Sequence, residues 1–259
     1  MTEHALVLQN ITKTFGGIHA LSDVGAVVSF GSVTSVVGDN GAGKSTLLKI
    51  ASGVEQPDSG DILVRGESMR LRSPQDAEAA GIGVVHQDLG LVPGLAIWQN
   101  LFLGREQVAG NGALRGIGVL RRQKMIREAR DVLDDFGIRI PAGAITRPVA
   151  ALSGGQRQAI AICRAAHDGH NILLLDEPTA ALGLIEAERT IATIESLKAR
   201  GLAILLISHN FEDVCDVSDR VLVLRAGREI GRLEGTEVRQ EHIVEILKGK
   251  RDAATAPSA

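Results

Sequence analysis

The segment Gly38-Asp-Asn-Gly-Ala-Gly-Lys44-Ser45 constrains this chain more than any other stretch. It fits G-x-x-x-x-G-K-[ST], a pattern that makes a phosphate cradle where an apolar strand runs into a glycine-rich turn and then a helix. Residues 33–37 supply the strand, and Leu47, Leu48 and Ala51 share one face of a helix expected to start near Gly43. Gly38, Gly41 and Gly43 let successive N–H groups point inward at an anion, and the helix dipole adds to their field. Lys44 is expected to pair with the β- and γ-phosphates of ATP and Ser45 to ligate Mg²⁺, with Asp39, Asn40, Ala42 and Thr46 completing the cradle. A glycine-rich turn that merely fits the pattern is the other reading, and the flanking strand and helix weigh against it.

Around this loop the chain reads as an α/β fold. Short paired strands are expected around residues 6–11 and 24–30, and others at 62–64, 83–86, 172–175, Ala203–Ile207, 221–224 and 229–232. Several of these are unbroken apolar runs, as parallel strands covered on both faces should be. Ser73, Pro74, Asp76 and Gly81 punctuate one helix, as N-cap, first position, first turn and stop. Further helices are expected around 185–200 and ending near Leu247. Between about residues 88 and 166 the pattern turns helical, with Met125, Ala129, Val132, Leu133 and Phe136 on one stripe, which suggests a helical lobe inserted into the core. Residues 1–248 therefore read as one domain, and the small, polar residues 249–259 as a disordered tail.

Side chains at strand ends supply candidate chemistry. Asp176 closes an apolar strand, where ligands bind in open α/β sheets, and is expected to bind Mg²⁺ through water. Glu177 follows it as candidate to polarise the attacking water; a solvated acidic pair would look the same in isolation. His209 lies past another strand and could reach the γ-phosphate, or be an ordinary loop residue. Gln87 could bind Mg²⁺ and water as a neutral amide, or sit idle on the surface. Phe15, before Gly16-Gly17, could stack on adenine or belong to the core. A second anion site is expected at Ser153, Gly154, Gly155 and Gln156, which open an alanine-rich helix. One nucleotide cannot easily use both helix ends of one chain; a second copy arranged head-to-tail would solve this.

Composition narrows the field. With 28 basic and 31 acidic side chains, the net charge of −3 gives no basic surface for nucleic acid. No apolar run is long enough to span a bilayer and no leader is evident, which suggests a cytosolic polypeptide. Cys163 and Cys215 match no metal spacing and read as buried small hydrophobes; His167 and His170 are assigned no metal. With no Tyr, five Phe and one Trp, the core must be packed mainly with aliphatic residues.

The ordered set of phosphate loop, Gln87, Leu152-Ser-Gly-Gly-Gln156, Leu173-Leu-Leu-Asp-Glu-Pro178 and His209 resembles the nucleotide-binding domain of ABC ATPases. The resemblance implies a P-loop NTPase (RecA-like) parallel-sheet core with an antiparallel β subdomain and an inserted helical subdomain. It implies ATP and Mg²⁺, adenine on Phe15, Glu177 as base, and His209 linking the γ-phosphate to a partner subunit. It also implies a sandwich in which Lys44 and Ser45 of one subunit and Ser153 and Gly155 of the other hold each nucleotide. Thr12-Lys-Thr-Phe15-Gly-Gly-Ile-His-Ala-Leu21, Val85-His-Gln-Asp-Leu89 and Asn100-Leu-Phe-Leu-Gly-Arg105-Glu106 resemble ATPases of bacterial ribose-, xylose- and fructose-type importers. Residues 146–151 lack the acidic-Arg-Gly element of exporters, which also favours import.

The resemblance further implies a homodimer on the cytoplasmic face of the inner membrane, bound to transmembrane permease subunits and served by a periplasmic sugar-binding protein. Leu89, Leu91, Val92, Pro93, Leu95 and Trp98 are then candidates for the permease groove, or the lobe's own core. Gly183 stands where many relatives carry Asp, which motivates an alternative, a regulatory subunit that scarcely hydrolyses ATP. A soluble ABC protein with a non-transport role is a further alternative, but this chain has no basic arm or coiled-coil insertion to support it.

Overall fold

The computed structural model describes residues 4–109, 118–141, 143–167 and 169–250. Of the tail expected at 249–259, residues 251–259 lie outside the described residues.

The chain opens with a hairpin of β1 (His4–Phe15) and β2 (Ile18–Ser29), turned through Gly16 and Gly17 at φ 51° and 88°. Both strands are longer than the sequence pattern suggests, because register shifts along β1 interrupt the alternation of apolar and polar residues. Phe30, expected in the second strand, lies just beyond it. Then come β3 (Val33–Gly38), α1 (Lys44–Ala51), β4 (Ser59–Val64), β5 (Glu67–Met69) and α2 (Pro74–Ala79). Ser73 caps α2 as expected, its Oγ accepting from Asp76 N–H at 3.2 Å. β6 (Ile82–Val85) starts one residue early and leaves His86 outside.

Before the sheet resumes, the described residues form the α-helices α3 (Ile97–Leu101), α4 (Arg122–Asp135) and α5 (Gly154–Ala166). Their apolar faces share a cluster built from Ile97, Met125, Ala129, Leu133 and Ile160. Trp98 is buried in this cluster, so its indole is core and not part of an open groove. The chain then returns through β7 (Ile172–Asp176), α6 (Leu184–Ala199), β8 (Ala203–Ile207), α7 (Phe211–Val217), β9 (Arg220–Arg225), β10 (Arg228–Glu234) and α8 (Gln240–Leu247).

Two sheets result. A four-stranded antiparallel sheet has the order β2-β1-β4-β5, and a six-stranded sheet the order β10-β9-β3-β8-β7-β6. In the second sheet β9, β3, β8, β7 and β6 run parallel and only the edge strand β10 is reversed. Every residue of β3 and β8 is buried; this explains why β8 reads as a continuous apolar run, and in β3 the burial extends to Thr34 and Ser35. The parallel order matters for the site, because it puts the carboxyl ends of β3, β8, β7 and β6 side by side on one edge.

Candidate nucleotide site

Each of those four strand ends delivers candidate chemistry. β3 ends at Gly38 and opens the phosphate loop. Gly38 (φ 152°) and Gly43 (φ 104°) cannot be replaced without collision: a Cβ would lie 2.1 Å from the Leu224 carbonyl oxygen at the first and 2.6 Å from the Ala20 carbonyl oxygen at the second. The loop is thus pressed between β9 and the β1–β2 hairpin, while Gly41 faces open space. Backbone bonds from Gly227 N–H to Ala42 O and from Ser22 N–H to Gly227 O tie hairpin and loop together. Phe15 sits at the tip of the same hairpin, 43% exposed, with the Lys13 ammonium 5.1 Å from its ring centroid. It is a surface ring, not a core one.

Lys44 is buried, and its ammonium donates to the Gly38 and Asp39 carbonyl oxygens at 2.7 and 3.0 Å. This holds the cation inside the loop it must serve. Ser45 follows on the exposed side of the first turn of α1.

β7 ends in Asp176 and β8 in Ile207, and the two residues are register partners. Glu177 then takes a left-handed backbone (φ 49°), and its N–H donates to Ile207 O at 2.8 Å. A non-glycine residue in that region is strained, and here the strain turns a carboxylate across the ends of two strands. His209 Nδ1 meets Glu177 Oε1 at 3.2 Å. Burial first, and then the neighbouring Glu177 carboxylate, holds the Asp176 pKa above the ordinary Asp range; His86, Lys44 and Lys49 pull the other way. A carboxylate in that state gains from a cation brought near it. Among the described residues no three His, Cys, Asp or Glu side chains gather to hold a metal ion by themselves. The donor set at hand is a hydroxyl, an amide and one carboxylate, which suits Mg²⁺ that takes its other ligands from phosphate and water.

Gln87 lies exposed, two residues past β6. Sequence reasoning missed how its loop is held. The Arg164 guanidinium, late in α5, donates to Leu89 O and Gly90 O at 2.8 Å each. The arginine sits in an alanine-rich helix, and nothing in its spacing marks it.

The second expected anion site lies at the other end of α5. Ser153 is its N-cap: Ser153 Oγ accepts from Gln156 N–H at 3.3 Å and Gln156 Oε1 from Ser153 N–H at 3.1 Å. This capping box spends the Gln156 side chain on the helix end. Among the described residues no hydrogen bond joins 153–156 to the phosphate loop, so these two halves are not brought together within one chain. Gly183, in place of the acidic residue, is the N-cap of α6 and offers no side-chain cap.

The groove beside His86 is lined by Val54, Val84, Leu103, Arg105 and Arg164 and encloses about 410 Å³. None of the residues from Leu89 to Trp98 lines it: Val92 and Pro93 are exposed elsewhere, while Leu89 and Leu91 pack against the core. Cys163 is buried, and desolvation pushes its thiol far above the usual range; Cys215 is only half-buried, and neither is in a disulfide. His170 is buried on Ala165 O and His167 packs edge-on to Phe102. No helix among the described residues is long and apolar enough to cross a membrane.

The family described as "ABC transporter" matches residues 21–180. The chain belongs to the ABC transporter family. Over 242 residues it is 40% identical to the xylose/arabinose import ATP-binding protein XylG of Sulfolobus acidocaldarius, covering 93% of both chains. It is 38% identical to the fructose import ATP-binding protein FrcA of Rhizobium meliloti, covering 96% of both. A ribose import ATP-binding protein RbsA of Yersinia pestis is 37% identical over 95% of this chain but only 46% of its own length. Among solved structures, a nucleotide-free ATP-binding cassette from an ABC transporter superposes with a TM-score of 0.79 at 26% identity, covering 95% of both chains. The ADP conformation of the cassette MJ1267 gives the same TM-score and identity.

Proposed function

We propose that this ABC subunit binds and hydrolyses ATP to drive import of a sugar across the cytoplasmic membrane. The observation that carries the reading is the meeting of Glu177 and His209 at 3.2 Å across two neighbouring strand ends, one strand away from the Lys44 loop. Relatives of matching length whose names specify xylose/arabinose and fructose import support the substrate class.

In this reading the adenine of ATP rests on Phe15, and the loop Gly38–Gly43 with Thr46 cradles the phosphates through its N–H groups. Lys44 leaves its two carbonyl partners for the β- and γ-oxygens. Ser45 and Gln87 would hold Mg²⁺ directly and Asp176 through water, and the bound ion would supply positive charge that offsets the charge on the phosphates. Glu177 orients the attacking water and takes its proton, while His209, on the same carboxylate, points to the γ-phosphate. Ser153, Gly154, Gly155 and Gln156 of a second copy close the site, which a head-to-tail homodimer supplies twice. Residues 88–166 act as a lobe that senses the nucleotide through Gln87. The transmembrane permease docks in the groove of Val54, Leu103 and Arg105, so the subunit sits peripherally on the cytoplasmic face and a periplasmic sugar-binding protein delivers cargo.

The test is ATPase activity of the chain with its permease, wild type against Glu177→Gln and Lys44→Ala. Glu177→Gln should lower turnover by about 10²–10⁴-fold with ATP still bound, and Lys44→Ala should abolish ATP binding. Equal turnover in wild type and Glu177→Gln would refute the catalytic assignment, and undiminished affinity in Lys44→Ala the phosphate-loop assignment.

A further inference from the structure

The end of α5 that a second copy's nucleotide would need is already approached by a carboxylate of its own chain. Glu186, in the first turn of α6, lies against the start of α5. A Cβ on Gly155 would fall 2.9 Å from Glu186 Cβ, and one on Gly154 would fall 3.6 Å from Glu186 Oε2. Only glycine at 155 admits this approach, so the closeness is built into the packing. The Glu186 carboxylate thus lies at the open end of α5, beside Ser153 and Gly155. The Ser153 hydroxyl first, and then the backbone N–H groups of Gly155 and Gly183, hold its pKa below the usual carboxylate range. Two helix N-termini therefore converge on one carboxylate.

A phosphate entering from a partner needs the same Ser153 hydroxyl and Gly155 N–H. The two anions cannot share them, and each repels the other. We propose that Glu186 is an internal placeholder for that phosphate: it occupies the anion-binding end of α5 in the lone subunit and must swing away before the sandwich closes. The proposal rests on the head-to-tail reading of the dimer.

There is somewhere for the carboxylate to go. A cavity of about 580 Å³ opens beside it, lined by Glu186, Arg189 and Arg139, with Phe136, Ala159 and Thr193. Arg189, three residues on along α6, already attracts the carboxylate. Rotation of the Glu186 side chain would exchange helix-end donors for a guanidinium without leaving a charge unpaired. The placeholder thereby sets the ATP concentration needed for closure and keeps the end of α5 satisfied while subunits are apart.

The test titrates MgATP into the full chain carrying Glu177→Gln to block turnover, and follows dimer formation by sedimentation. The same titration is run with Glu186→Ala, which keeps the Cβ on Gly155, and with Glu186→Gln, which keeps the side-chain length but not the charge. Removing one charged competitor from each of two seams should lower the ATP midpoint about tenfold for the alanine variant, and in the same direction for the glutamine one. A midpoint unchanged or raised in both, with ATP-dependent dimer still forming, overturns the placeholder alone. No ATP-dependent dimer in any variant, with nucleotide bound, overturns the head-to-tail reading and the placeholder with it.

Discussion

Asn100 offers the sharpest test of how the loop after Gln87 is held. The side chain is fully buried; it accepts from Val92 N–H at 2.8 Å and donates to Val92 O, Leu95 O and Ala96 O at 3.2 Å each. Replacing it by alanine does not orphan all four groups. Ala96 O keeps Asn100 N–H at 3.0 Å, Leu95 O keeps Val149 N–H at 3.0 Å, and Val92 O keeps Leu95 N–H at 3.1 Å. Only Val92 N–H is left without a partner, and Val92 is 40% exposed, so water covers part of the loss. The low half of the usual penalty applies, and Asn100→Ala should cost about 1–2 kcal/mol.

Asn100→Asp should cost more at neutral pH, because its carboxylate would face three carbonyl oxygens with no donor except Val92 N–H. That environment raises the folded pKa above the unfolded value of about 3.9, so the protonated form is favoured on folding. The sign follows from linkage: relative stability of the aspartate variant is greatest below the unfolded pKa and is lost as pH rises through the folded one. Urea unfolding at pH 5 and pH 8, at equal ionic strength, should show the aspartate variant falling behind alanine as pH rises. If alanine is the worse of the two at pH 8, or if the aspartate deficit does not change with pH, the buried-acceptor account is wrong.

Asp176→Asn should raise the Tm of the nucleotide-free chain at neutral pH while impairing hydrolysis, because burial and Glu177 disfavour the native charge; a lowered Tm would contradict this. Gly38→Ala should destabilise the fold and weaken ATP binding together, since its Cβ would fall 2.1 Å from Leu224 O; a variant with native Tm and affinity would show that the loop is not wedged against β9. Arg164→Lys keeps the charge but cannot fork onto Leu89 O and Gly90 O, so hydrogen exchange of residues 88–91 should speed up while α5 stays protected; unchanged exchange would remove the arginine from that role.

Gly38, Gln87, Asp176 and His209 are candidates in the sequence because each lies at or within two residues of the end of a strand, and the sheet sets those strand ends side by side. The strand order was not legible: β6, β8 and β7 up to Asp176 are unbroken apolar runs, and such runs carry no mark of their neighbours. α7 went unread because Phe211–Val217 is short and rich in acidic residues, although Asn210 caps it by accepting from Glu212 N–H at 3.0 Å. β5 has only three residues. Glu186 and Arg164 were invisible for another reason: each acts on a segment distant in sequence, at a contact that only packing creates. Trp98, near Gln87, reads in sequence either as a surface for a partner or as core, and its burial makes it core.

The side-by-side order of β3, β8, β7 and β6 has a further consequence. Hydrogen-bonded strands keep a pitch of about 4.8 Å, so the sheet is a ruler on which phosphate loop, histidine, acidic pair and glutamine are ruled marks. Their lateral spacing is inherited from backbone geometry and does not have to be tuned by any loop. Substitution among aliphatic side chains above and below the strands leaves the marks where they are, which is how a cassette sharing 26% of its residues still superposes on this one with a TM-score of 0.79.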